Sequence, residues 1–377
     1  MMKNMGWKVA ILGLAVPALS YAAPLDEFLT AHPGFEAMHG EGEVGVDLMN
    51  RTVDLFKMRG DPDPRNNAIG DYRGLHARGG LALTRRLWVD GGVWNRKIIT
   101  PYDNGESLAL HAAAQFQVLQ PLGAFPAIAL RLSGWRDSAS DASKGSPTTI
   151  TTGDMSVTAN AIRIDSPQDE QAQIDLIGTW TLPSNTALST FVGYGKSSVS
   201  FDQLTINGIS VGGESSAGQF VISPATMSDG SIGVSGVCVS QCGKVLDFKV
   251  PAPAGQTIPN GLNIGYDSTY FQAGGSFSWM SPEWRARLGY RFVKWNRDVD
   301  EAVVQLGKNA IDTNHFLTGE IGYKPPFPLF EHAGFFVRGQ VMKNQFVGEV
   351  PFSYNAFSAH KFDHRYGIVT LGISGGF

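Results

Sequence analysis

Arg285, Arg287 and Arg291 share one parity in the run from Trp284 to Phe292, while Trp284, Ala286, Leu288, Tyr290 and Phe292 occupy the other. Successive side chains of a β-strand point to opposite faces, so this run puts guanidiniums on one face and apolar groups on the other. Guanidiniums fixed along a wall either concentrate anions beside it or bind carboxylates as forked pairs in a structural network. Glu320, Asp47 and Asp90 are the carboxylates available for the second role, and the residues alone leave both readings open.

The same parity argument, applied to every alternating segment, gives one polar face. It carries His76, Arg78, Arg96, His111, Arg131 and Arg338 beside the three arginines, set against Glu43, Asp47, Asp90, Asp137, Asp175 and Glu320. Gln115, Gln117, Gln272, Gln340 and Asn344 join them, and on this count the face leans cationic. Trp94 and Trp295 share it and could stack on a solute, whereas Trp88, Trp284, Tyr290 and Tyr323 lie near segment ends, where aromatic residues form interfacial girdles.

Other chemistry is sparse. Ser358, His360, Asp363 and His364 cluster near the end of the chain and could act as acid, base or ligand, yet no G-x-S-x-G elbow supports a nucleophile, and the expectation is no enzyme and no catalytic residue. Cys238 and Cys242 are the two cysteines of the chain. Without a nearby histidine they make an incomplete zinc site, and in an exported chain they are expected to pair as a disulfide. No metal and no other cofactor is expected.

The elements that would position these residues are short alternating segments, about twelve of them, over roughly 43–58, 72–84, 87–99, 107–119, 125–137, 154–182, 186–200, 264–280, 284–297, 312–324, 334–350 and 361–377. Their connections alternate. Tight ones fall at Thr84–Arg86, Gln120–Ala124, Pro183–Asn185, Ser281–Glu283 and Lys324–Glu331, and the rest are long and rich in Gly, Asp, Asn, Ser and Pro. Short turns at one rim and long loops at the other, with an even strand number, describe an all-β, antiparallel up-and-down transmembrane barrel. Phase changes near Asn50 and a possible bend at Ser166-Pro167 leave ten or fourteen strands open.

The first residues place Lys3 and Lys8 before an apolar run from Val9 to Leu19 and small residues at Ser20 and Ala22, which predicts a signal peptide over 1–22. A periplasmic leader or short plug follows over 23–40, with Leu25, Phe28 and Leu29 at helical spacing, and the barrel over 41–377. The connection 201–262 is long enough to form its own hairpin outside the barrel or to fold inward as a constriction. Charged residues are 17% of the chain and the net charge is -4, so nothing basic points to nucleic acid as a partner.

The chain ends Tyr366-Gly-Ile-Val-Thr-Leu-Gly-Ile-Ser-Gly-Gly-Phe377. With the features above, this last strand resembles the bacterial outer-membrane β-barrel class, porin-like proteins in which such a strand is read by the barrel-assembly machinery. The resemblance implies that Tyr366 and Phe377 serve assembly, that the chain sits in outer-membrane lipid of a Gram-negative cell, and that the last strand closes on the region near Val44. The inward arginines, with Glu320, Asp90 and His111, then become pore-lining, and the expected function is passive passage of small polar or anionic solutes. The alternatives are a closed barrel serving as a surface enzyme or binding platform, and a part of an envelope export system.

Overall fold

The structure, a computed structural model, describes residues 26–31, 39–49, 71–99, 104–144, 148–152, 155–211, 214–226, 228, 232–251, 266–297, 312–326, 333–343 and 365–376. A 3-10 turn, Asp26–Phe28, precedes nineteen strands. In chain order these are β1 (Gly40–Met49), β2 (Asp71–Ala82), β3 (Leu87–Ile99), β4 (Asn104–Leu119), β5 (Ala127–Ala139), β6 (Ala142–Lys144), β7 (Thr148–Thr152), β8 (Met155–Asp165), β9 (Gln168–Leu182) and β10 (Thr186–Ser200). They continue as β11 (Gln203–Val211), β12 (Glu214–Thr226), β13 (Ile232–Ser240), β14 (Asp247–Pro251), β15 (Tyr266–Met280), β16 (Trp284–Arg297), β17 (Thr313–Tyr323), β18 (Ala333–Lys343) and β19 (Arg365–Gly376).

Twelve strands close into an antiparallel barrel in the order β1-β19-β18-β17-β16-β15-β10-β9-β5-β4-β3-β2. Closure pairs Val44 with Ile373 and Glu41 with Gly376, so the last strand seals the cylinder against the first. Closing the sheet leaves no unpaired barrel edge, which is the condition for a sheet to span lipid. Alternation then sorts the side chains inside out relative to a water-soluble protein. Leu75, Leu132, Ile321 and Val337 are exposed on the outer wall, whereas Glu43, Arg131, Asp175 and Glu320 are buried within. An apolar outer belt around a polar interior fits a bilayer. Among the described residues no helix is long and apolar enough to cross a membrane.

The tight connections at Leu83–Arg86, 183–185 and 281–283 fall at one rim; Ser184 and Asn185 take positive φ there to turn the chain within three residues. At the opposite rim stands a second sheet, in the order β14-β13-β12-β11-β8-β6, with β7 also paired to β8. It corrects the sequence reading in two places. The segment 154–182 is not one barrel strand: the chain breaks at Ser166, whose φ is 49°, and at Pro167, leaving β8 in the second sheet and β9 in the barrel. Residues 138–152, expected as loop, supply β6 and β7. The segment 201–262 builds the rest of that sheet, around a core of Ile209, Phe220, Ile222 and Phe248, and its Cys238–Cys242 disulfide spans 5.7 Å between Cα atoms.

Candidate functional site

Inside the barrel the polar parity organises into two ionic lattices. In the first, β17 presents Glu320 between β16 and β18, and three guanidiniums converge on it. Arg285 Nη2 lies 2.9 Å from Oε1, Arg287 Nη2 2.8 Å from both oxygens, and Arg338 Nη2 2.8 Å from Oε2. Arg338 also donates to Glu43 at 2.9 Å, and Glu43 accepts from Arg78 Nε at 2.7 Å. His76 stands between Glu43 (3.2 Å) and Asp47 (3.0 Å), and Asp47 accepts a hydrogen bond from Thr370 at 2.5 Å.

The second lattice lies on β3, β4 and β5. Arg131 donates two hydrogen bonds to Asp90, at 2.6 and 2.8 Å, while the Trp88 indole donates a third at 3.0 Å. His111 lies 3.7 Å from the same carboxylate, and Arg96 reaches Asp137 at 3.4 Å. Above it Trp94, His111 and Trp135 pack as rings, with centroids 4.9 Å apart for Trp94–Trp135 and 4.3 Å for His111–Trp135. Along β9 and β15, Gln272 donates to Asp175 at 2.6 Å and Tyr270 to Gln173 at 2.9 Å.

These bonds run along the wall, linking strands that are adjacent or two apart. Residues 26–31 reach across the lumen. Phe28, Leu29 and Ala31 are buried, Leu29 and Ala31 fully. On one side the Glu27 carboxylate lies 3.0 Å from Arg291 Nη2, and Arg287 stacks 4.4 Å above the Phe28 ring. On the other, the Ala31 N–H donates to Thr179 Oγ1 at 2.7 Å and Gln115 Nε2 donates to the Thr30 carbonyl at 2.7 Å. Leu29 and Ala31 pack with Ala127, Ala129, Ile177 and Phe191. β16 and β4 stand five strands apart in a ring of twelve, so the segment joins nearly opposite walls.

Gly289 makes that seat. It falls on the inward parity between Arg287 and Arg291, and a Cβ built there would lie 2.3 Å from the Glu27 carbonyl oxygen. On the opposite wall Ala127 and Ala129 play the same part with small side chains.

The structure thus places Arg78, Arg96, Arg131, Arg285, Arg287, Arg291, Arg338, Asp90, Glu320 and His111 on the inner face, where parity put them. It pairs the arginines with carboxylates, which sequence left undecided. It also adds inward Glu41, Asp169 and Arg297. The described inner wall then holds eight arginines (Arg78, Arg96, Arg131, Arg285, Arg287, Arg291, Arg297, Arg338) and eight carboxylates (Glu41, Glu43, Asp47, Asp90, Asp137, Asp169, Asp175, Glu320), so the expected cationic lean disappears when the histidines are neutral. Trp88 was expected in the girdle and is instead buried inside, because its indole serves Asp90. Trp284 and Tyr323 do sit outside, with ring centroids 4.6 Å apart. The proposed signal peptide, Asn344, the cluster Ser358, His360, Asp363 and His364, and Phe377 lie outside the described residues; Tyr366 is described as backbone within β19.

No protein-family model matches the chain, and no curated protein is significantly similar to it. Among solved structures, the translocator domain of autotransporter NalP from Neisseria meningitidis is similar at 9% identity and a TM-score of 0.41, covering 90% of this chain and 87% of that one. The CymD monoaromatic hydrocarbon channel is similar at 11% identity and a TM-score of 0.39, covering 91% and 90%. LpxR from Salmonella typhimurium is similar at 9% identity and a TM-score of 0.36, covering 89% and 99%. At these levels a likeness says nothing of activity. The closed antiparallel ring with its apolar belt gives the chain the fold of the bacterial outer-membrane β-barrels.

Proposed function

We propose that the protein is an outer-membrane channel for small polar or anionic solutes, held shut by residues 26–31 acting as an internal plug. The observation that carries this reading is that ion pairs knit nearby strands along the wall, while residues 26–31 bond to nearly opposite walls of the lumen. Eight-stranded barrels are filled by their own side chains, and a ring of twelve is wider. Removing the plug therefore leaves a polar-walled passage.

Because the wall is balanced overall, selectivity is local. Beside Glu27 the wall offers Arg291, 3.0 Å from its carboxylate, and Arg287, which is paired with Glu320 and stacked on Phe28. Once Glu27 leaves, that level is cationic and favours anions. Export through a cleaved signal peptide, residues 1–22, and delivery by the barrel-assembly machinery through Tyr366 and Phe377 belong to the same reading. So does the absence of catalysis.

Planar-bilayer recording of the refolded protein tests it. Deleting residues 26–31 is expected to raise unitary conductance and open probability, and Arg291→Ala in that background to move the reversal potential toward cations. A deletion variant without discrete conductance steps would overturn the reading.

A further inference from the structure

Beyond Arg291, toward the rim opposite the tight turns, the inner wall carries a group of buried polar side chains that belongs to neither ionic lattice. Ser268 and Gln272 lie near the start of β15, Trp295 near the end of β16 and Asn314 near the start of β17, whereas the tight turn at 281–283 joins β15 and β16 at their other ends. All four are on the inward parity and at most 7% exposed. Register gathers them. Gln272 pairs with Val293 and Val293 with Asn314, so the two amides flank one apolar residue, two strand spacings or roughly 10 Å apart. Trp295 stands one inward position further along the same strand, opposite Tyr270.

Among the described residues, five atoms of this group make no hydrogen bond: Ser268 Oγ, Gln272 Oε1, Trp295 Nε1, and Asn314 Oδ1 and Nδ2. Gln272 spends its amide N–H on Asp175 at 2.6 Å and keeps its carbonyl oxygen. The Trp295 ring packs on Tyr270 with centroids 4.4 Å apart, and Arg297 lies 5.2 Å from its centroid, so the ring is fixed and the group it leaves to a ligand is its N–H. An unpaired buried polar atom is costly, and folded proteins hold few of them. Five on three adjacent strands, facing one lumen, mark a place where bonds are completed from outside the wall.

Their chemistry narrows what completes them. The group presents two N–H donors, two carbonyl acceptors and one hydroxyl. A carboxylate or phosphate only accepts: it would serve the two N–H groups and be repelled by the two carbonyl oxygens. A hydroxyl both donates and accepts. Several hydroxyls on one ring answer donors and acceptors together, with the C–H face of that ring against Val293.

We propose that this group is a binding site for a neutral sugar entering from the loop side. The inference rests on the channel reading for the route and names the solute class within it. Ordered water also satisfies buried atoms of this kind, and the experiment separates the two.

The test is binding to the refolded full chain in mild detergent, read by isothermal titration calorimetry and tryptophan fluorescence, with glucose, galactose and maltose as neutral probes and glucuronate as the charged one. Saturable binding of a neutral sugar is expected, with glucuronate weaker than glucose. Asn314→Leu, close to Asn in shape, is expected to weaken binding roughly tenfold, the loss of about two hydrogen bonds. The same variant should leave the urea unfolding midpoint unchanged or raise it, because an apolar group in place of an unpaired amide relieves a cost. An amide kept for structure would do the reverse. Trp295→Phe, which keeps a ring and drops the N–H, should also weaken binding, while Lys324→Gln at the other rim leaves it unchanged. No saturable binding of any of the three neutral sugars, glucuronate binding as tightly as glucose, or an Asn314→Leu variant with wild-type affinity or a lowered midpoint would overturn the proposal. A chain that conducts but binds no sugar sinks this inference alone; one that binds sugar without conducting sinks the channel reading alone.

Discussion

Glu320 and Glu27 are two buried carboxylates in one lumen, held in opposite ways. Glu320 accepts from three guanidiniums anchored on β16 and β18, at 2.8 to 3.1 Å. Glu27 meets Arg291 at 3.0 Å from a short segment that is not part of any strand. A carboxylate tied into several strands leaves only when the barrel opens, whereas one tied through a single guanidinium leaves with its segment. The lattice is thus the fixed wall and the plug the replaceable part.

The largest expected effect separates the two. Glu320→Gln strands Arg285, Arg287 and Arg338 without their shared anion, and breaking a buried pair in this way costs about 3 to 5 kcal/mol. Urea unfolding of the barrel in lipid vesicles should show that loss, while the conductance of folded Glu320→Gln stays at the wild-type level. A channel opened by Glu320→Gln would erase the distinction between wall and plug.

Gly289→Leu acts on the plug. Its added carbons meet the Glu27 backbone, and overpacking of that kind costs about 1 to 3 kcal/mol. Since the segment is held by few bonds, it should move out rather than the barrel unfold. Limited proteolysis is expected to cut near residues 26–31 faster in Gly289→Leu, with the unfolding midpoint of the barrel unchanged.

Glu27→Gln is the mildest change, keeping a hydrogen-bonding side chain while removing its charge. The loss of charge assistance is about 1 kcal/mol, near a fivefold rise in open probability. The same recordings read it out.

Much of the barrel was legible because its outer face must be apolar throughout and its inner face need not be. Alternation in Trp284–Phe292 and in the last strand survives intact for that reason, and the pairing of the last strand with the first follows from closure. The second sheet was harder to see. The sequence offers a hairpin or a constriction within 201–262, but it joins β8 to a barrel strand and leaves β6 and β7 as loop, because this sheet hides only a small core around Phe220 and Phe248.

At the site, parity located Arg287, Arg338 and Glu320, but a one-dimensional pattern carries no register between distant strands. Nothing in sequence says that Arg338 would bridge Glu320 and Glu43, which lie 277 residues apart. The plug left one usable trace. Gly289 interrupts an inward row of arginines with a residue that has no side chain, and the gap marks where another backbone comes close.

The most direct test of the plug as gate joins it to the wall. Thr30 Oγ1 and Thr179 Oγ1 lie 3.4 Å apart, so a Thr30→Cys, Thr179→Cys pair can form a disulfide with little movement. Conductance should be absent in the oxidised double variant and should return on reduction, while the wild type, whose Cys238–Cys242 bridge is reduced alongside, shows no such change. Identical currents in the oxidised and reduced double variant would contradict a gating role for residues 26–31.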